Sequence, residues 1–173
     1  MVNTTIQEGE DKMKFSRETE DILLKSGWFA ERNEDISDYI EYYIENNFKF
    51  NDTVLDFLKQ FANIRVLQPM STNPKVNVDF YINPTECYYN HEYDERAGEY
   101  LVPIGLASCD HMDLLMSHLG IIYTGYAEEL FRYGNDYISA VENLCQYQFG
   151  TKIPYVFSEE DELYQEYYED DKD

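Results

Sequence analysis

Three histidines (His91, His111 and His118) and three cysteines (Cys87, Cys109 and Cys145) are the side chains best suited to carry chemistry in this sequence. Cys109-Asp110-His111, with His118 seven residues further on, offers ligands for a metal. Structural zinc sites, however, are built from two compact ligand pairs, and the second pair is missing here. A cysteine–histidine nucleophile would need a basic neighbour or a helix start to lower the thiol pKa, and none accompanies Cys87 or Cys109. Cys145 falls on the apolar face of an expected helix, where a free thiol behaves as a small hydrophobe. No Gly-rich phosphate loop, no Gly-x-Ser-x-Gly elbow and no Cys-x-x-Cys pair occurs. With 35 acidic residues, carboxylate pairs arise by chance and say nothing of glycosidase chemistry. The residues therefore assign no catalytic, metal-ligating or cofactor-binding position, and the expectation is a protein that is not an enzyme. A hydrolase using the histidines and Cys109 is the catalytic alternative.

Binding is the better direction. Lys and Arg number 13 against the 35 acids, a net charge of −22. Such a chain does not neutralise phosphates, which argues against direct nucleic-acid or anionic-membrane contact. It favours solubility and fast, steered association with a basic partner. The acids are concentrated with aromatics in two stretches. Glu31, Glu34, Asp35, Asp38, Glu41 and Glu45 interleave with Tyr39, Tyr42 and Tyr43. Residues 85–99 repeat the mixture with Glu86, Tyr88, Tyr89, Glu92, Tyr93, Asp94 and Glu95. Aromatic anchors rimmed by charge are typical of protein interfaces. The plain alternative for either stretch is a solvated helix face or loop.

The elements that must position these residues follow from local signals. Ser16 caps a helix over Arg17–Ser26, with acids in its first turn, and Gly27 fits the left-handed position beyond its end. A second helix is capped at Ser37 and carries Tyr39, Ile40, Tyr43 and Ile44. A third begins near Asn51 with Val54, Leu55, Leu58 and Phe61 on its apolar face. The period then changes to two over Val76–Ile82, a strand stopped by Pro84 and paired with Arg65–Met70. Residues 85–99 read as a loop. Leu101–Ala107 and Met112–Met116 read as strands, and His118-Leu119-Gly120 turns the chain into Ile121-Ile122-Tyr123. A last helix starts near Asn135 with Ile138, Val141, Leu144 and Cys145 inward. The class is α+β: one domain with a central, mainly antiparallel sheet, flanked by N-terminal helices and one C-terminal helix. Its expected bounds are 14–157, after a flexible stretch 1–13 and before an acidic tail 158–173 that holds nine acids and one lysine. No segment reaches the length of a membrane span, and the opening residues lack the apolar run of a signal peptide. With an odd number of widely spaced cysteines, the expected location is the cytoplasm.

Phe15-Ser16, then Ser26-Gly27-Trp28 with Arg32 four residues on, resembles the opening of the third subgroup of the SUKH superfamily of bacterial immunity proteins. Phe57-Leu58 with Phe61, Val78-Asp79-Phe80, Asn83-Pro84, Val102-Pro103-Ile104-Gly105, Gly120, Tyr123, Gly134, Ala140 and Leu144 follow in the family's order. Ser117-His118-Leu119-Gly120 departs from it, since the family turn commonly has Asp before a Gly. The resemblance implies an α+β domain that binds and neutralises a cognate toxin, often a nuclease, in polymorphic toxin systems, without doing chemistry itself. A regulatory or scaffold module of the same fold, binding a partner other than a toxin, is the alternative. On this reading Gly27, Trp28, Arg32, Gly105 and Gly120 are structural, with Trp28 closing the core. The acids from Glu31 onward begin the binding surface.

Overall fold

The computed structural model describes residues 15–154, so the expectations for 1–13 and 158–173 lie outside the described residues. Three helices come first: α1 (Arg17–Lys25), α2 (Ser37–Glu45) and α3 (Asp52–Phe61). Strands β1 (Arg65–Pro69) and β2 (Asn77–Tyr81) follow, then a single 3-10 turn over Pro84–Glu86 and the short α4 (Glu92–Ala97). After them come β3 (Leu101–Ala107), β4 (Met112–Ser117), β5 (Ile122–Tyr126), β6 (Glu129–Arg132), α5 (Tyr137–Cys145) and β7 (Thr151–Ile153). The seven strands form one antiparallel sheet in chain order, β1 to β7. This is the α+β arrangement expected, with β6, β7 and α4 added.

Local chemistry explains the helix ends. Ser16 accepts the Thr19 N–H at the start of α1. At its end Gly27, with φ +92°, lets the Gly27 N–H reach Leu24 O at 3.1 Å and the Trp28 N–H reach Leu23 O at 3.0 Å. That pair of bonds is a Schellman closure, which needs the left-handed residue that Gly supplies. Asn51 caps α3 through Val54 N–H. The expected cap at Ser37 is corrected: Ser37 is the first helical residue, and the Asp35 carboxylate takes both its N–H (3.0 Å) and its hydroxyl (2.6 Å). Asp136 and Ser139 form a reciprocal capping box on α5.

Side chains alternate between two cores on the two faces of the sheet. Val66, Val78, Phe80, Ile82, Val102, Ile104, Leu114, Met116 and Ile122 face the helices, meeting Leu23, Tyr43, Phe57, Leu58, Phe61 and Val141. Leu101, Leu115, Tyr123 and Leu130 point the other way into a smaller cluster that Tyr93 of α4 closes. Trp28 lies in the larger core, stacked on Phe61 at 5.8 Å and edge-on to Phe15 at 5.5 Å.

A bulge at Pro103–Gly105 breaks the β3–β4 ladder and reverses the faces beyond it. Pro103 has no N–H to give, and its carbonyl accepts from the buried Tyr43 hydroxyl at 2.6 Å. Gly105 is required by contact: a Cβ there would sit 2.0 Å from Tyr81 O. At the outer edge, the Met70 N–H bonds to Val76 O, which turns even-numbered residues of β1 toward β2. Arg65, Leu67 and Pro69 therefore direct their backbone groups to the unpaired edge, where Pro69 contributes no donor.

Candidate protein-binding surface

The residues that suggested chemistry are dispersed. His111 Nδ1 lies 2.6 Å from Cys109 O, and His118 Nδ1 is 3.7 Å from Glu99 Oε2. His91 sits edge-on to the Tyr89 ring at 4.8 Å. No group of three or more His, Cys, Asp or Glu able to hold a metal is assembled among the described residues. Every thiol is shifted away from the reactive thiolate. Burial, with Asp113 nearby, pushes Cys87 up to about 12, and its Sγ–H donates to Gly105 O. Burial raises Cys145, and the Asp79 carboxylate raises the exposed Cys109.

The two acidic stretches, by contrast, come together. The connector 31–36 is tied to the end of α3. Arg32, buried, donates to Gln60 O at 2.9 Å and pairs with Glu34 at 3.0 Å, while the Glu34 N–H meets Lys59 O. A cation on the last carbonyls of a helix is favourable on both hydrogen-bonding and dipole grounds. With the connector fixed, α2 presents Asp38, Glu41 and Glu45 along one exposed face, and Glu31 and Asp35 are exposed before it.

The C-terminal end of α2 meets the 85–99 segment through aromatic rings. Tyr42 lies 5.8 Å from Phe48, Phe48 4.9 Å from Tyr89, and Tyr89 4.8 Å from His91. This seam joins α2 to the 85–99 segment, whose Glu86, Glu92 and Glu95 are exposed. Ile44 (63% exposed), Tyr88 (81%) and Tyr100 (55%) are large exposed apolar side chains of the same segments or next to them in sequence. These acids are legible in the sequence but the seam is not, because Phe48 falls just past the end of α2 and outside its helical period.

Three expected positions are corrected. Tyr93 is buried: its ring lies against Gly125, where an added Cβ would fall 2.4 Å from it, and its hydroxyl donates to Ala127 O at 2.7 Å. Tyr39 is buried too, with its hydroxyl on Asn63 Oδ1 at 2.6 Å. Asp94 turns inward, accepting the Leu101 N–H at 2.9 Å and bonding the Tyr89 hydroxyl, whose pKa burial and this carboxylate raise. These three hold the scaffold. The segment expected as a loop contains α4, closed by Gly98 at φ +72° and strapped to the sheet by the Tyr88 N–H on Asp113 and by Arg96 on Glu128 O and Ile153 O.

The family model of SUKH-3 immunity proteins matches residues 15–147 of this chain. The chain belongs to the SUKH-3 immunity protein family. No curated protein and no solved structure matches it. The match ends before β7, so the last described strand of this SUKH-3 protein lies beyond the matched region. Gly27, Trp28, Arg32, Gly105 and Gly120 all lie within the match, and each acts in this structure through a turn, a core contact, a helix end or a close approach. A family of immunity proteins implies a cognate toxin as partner. No described helix is long and apolar enough to cross a membrane.

Proposed function

We propose that this protein neutralises its toxin by covering the toxin's active or substrate-binding surface with the face built from α2 and the 85–99 segment. The observation that carries this reading is the chain of ring contacts that brings the end of α2 against the 85–99 segment, both of which bear exposed acids. Glu31, Glu34, Asp35, Asp38, Glu41 and Glu45 supply charge on one side, and Glu92 and Glu95 on the other; Tyr42 and Tyr89 lie between. The toxin best fitted to such a surface is a basic nuclease domain, whose cationic groove must otherwise hold phosphates. The inhibitor occupies that groove without doing chemistry and acts in the bacterial cytoplasm, where the toxin would reach nucleic acid.

Carboxylates around the rim steer encounter, bringing association to about 10⁸ M⁻¹s⁻¹ at low salt, and the aromatic centre slows dissociation. Co-expression with the toxin encoded beside it tests the reading: cells survive with the intact protein and die when Glu41, Glu45, Glu92 and Glu95 are all changed to Lys. The association rate should fall steeply from low to high ionic strength. Survival with the four-lysine protein, or a rate indifferent to salt, removes the electrostatic mechanism.

A further inference from the structure

Lys49 follows Phe48 of the seam, and its Nζ stands 3.6 Å from the centroid of the Tyr100 ring. The choice of partner is informative. In a chain of net charge −22, no described carboxylate lies within ion-pairing distance of this lysine. It rests instead on the face of a ring that is itself half exposed. Tyr88, beside the seam residue Tyr89, offers a second ring that is 81% exposed. Apolar faces of rings left in water are poor for folding and good for a cation. The ring quadrupole and the surrounding negative field attract the same charge.

We propose that the exposed Tyr100 ring reads cationic side chains of the partner, and that in the free protein Lys49 occupies on Tyr100 the seat that a partner's arginine takes. The inference rests on the binding face assigned above and adds what that face recognises. Arginine fits better than lysine, because a planar guanidinium is more weakly hydrated than an ammonium and stacks over the whole face of a ring. The partner chemistry is thus an arginine-rich protein segment, and Lys49 is an intramolecular competitor for it. A docked arginine displaces the lysine into solvent, so part of the binding surface is already shaped around a cation before the partner arrives.

The test uses the intact protein and a fluorescent (Gly-Arg)5 peptide, with (Gly-Gln)5 as the uncharged control. Lys49→Ala should tighten (Gly-Arg)5 binding by about 2–5-fold, the range of an exposed cation–π contact. Lys75→Ala removes the same charge from an exposed site elsewhere and should change it by less than half as much. Tyr100→Leu should weaken binding and abolish the gain from Lys49→Ala, whereas Tyr100→Phe keeps both. Equal effects of the Lys49 and Lys75 changes, or full binding by Tyr100→Leu, overturn the inference. Thermal melts of each variant check folding, with Lys49→Gln as the substitute if Lys49→Ala does not fold. Failure here with intact protection of toxin-expressing cells removes only the cation seat; loss of protection by the charge-reversed face with this peptide result intact removes the toxin-blocking reading.

Discussion

Gly105 shows how little freedom a single position can have. A methyl group there would meet Tyr81 O at 2.0 Å and Ile82 Cα at 2.8 Å, and both are backbone atoms of a packed strand. Neither can swing aside as a side-chain tip would. Gly105→Ala should therefore lower stability by about 2–3 kcal/mol, through overpacking that must push β2 from β3. A urea midpoint measured with an unchanged m-value checks it. The thiols give a second expectation at this scale. Cys87 is pushed up to about 12 by burial and bonded to Gly105 O, Cys145 is buried, and Cys109 is exposed. Iodoacetamide at pH 7.5 should add a single carbamidomethyl group to the native protein, and none to Cys109→Ser, as intact mass will show. Asp79 raises the Cys109 pKa, so this labelling should be slower than that of a free cysteine.

Among the elements, α2 is the one whose charges are arranged against its own stability. Its last turn holds no basic residue, Glu45 stands at the negative end of the helix dipole, and Glu41 sits four residues before it with the same sign. Glu45→Lys removes both conflicts and creates an i,i+4 pair with Glu41. It should stabilise the fold by about 0.5 kcal/mol and at the same time slow association with the toxin, read from denaturant midpoints and from stopped-flow rates. A helix tuned only for folding would gain on both counts. Elements with strong local signals were readable: Ser16, Gly27, Asn51 and the alternation through Val78 and Phe80 mark their boundaries without reference to the rest of the fold. β6 was not, because Leu130 and Phe131 are adjacent apolar residues directed to opposite cores, which erases the polar half of the alternation. Nor was α4, whose six residues are too few to show a helical period. Tyr93 was misread for a chemical reason. A tyrosine with its ring covered and its hydroxyl bonded looks in sequence like an exposed anchor; Gly125, which leaves room for the ring, carried the missing signal.

For the molecule as a whole, 35 acids against 13 basic residues mean that folding gathers like charges. The acids of the proposed binding face are a part of this load, and they oppose compaction as they would favour encounter. Screening should therefore help the free protein: between 20 mM and 500 mM NaCl the melting temperature should rise by about 2–4 °C, whereas attractive ion pairs would make it fall. Salt would act in opposite directions on stability and on toxin association, and measuring both in one buffer series separates the two roles of the charge.

The edge of the sheet matters most while the protein is free. Before any partner docks, copies of the chain can meet one another edge to edge. The outer strand of the sheet would then be a seed for fibrils, were its edge complete. Pro69 sits at the outward-facing position where a third donor would be, leaving only Arg65 and Leu67 to start a new strand. Pro69 thereby shortens the row of donors through which two free copies could pair along β1.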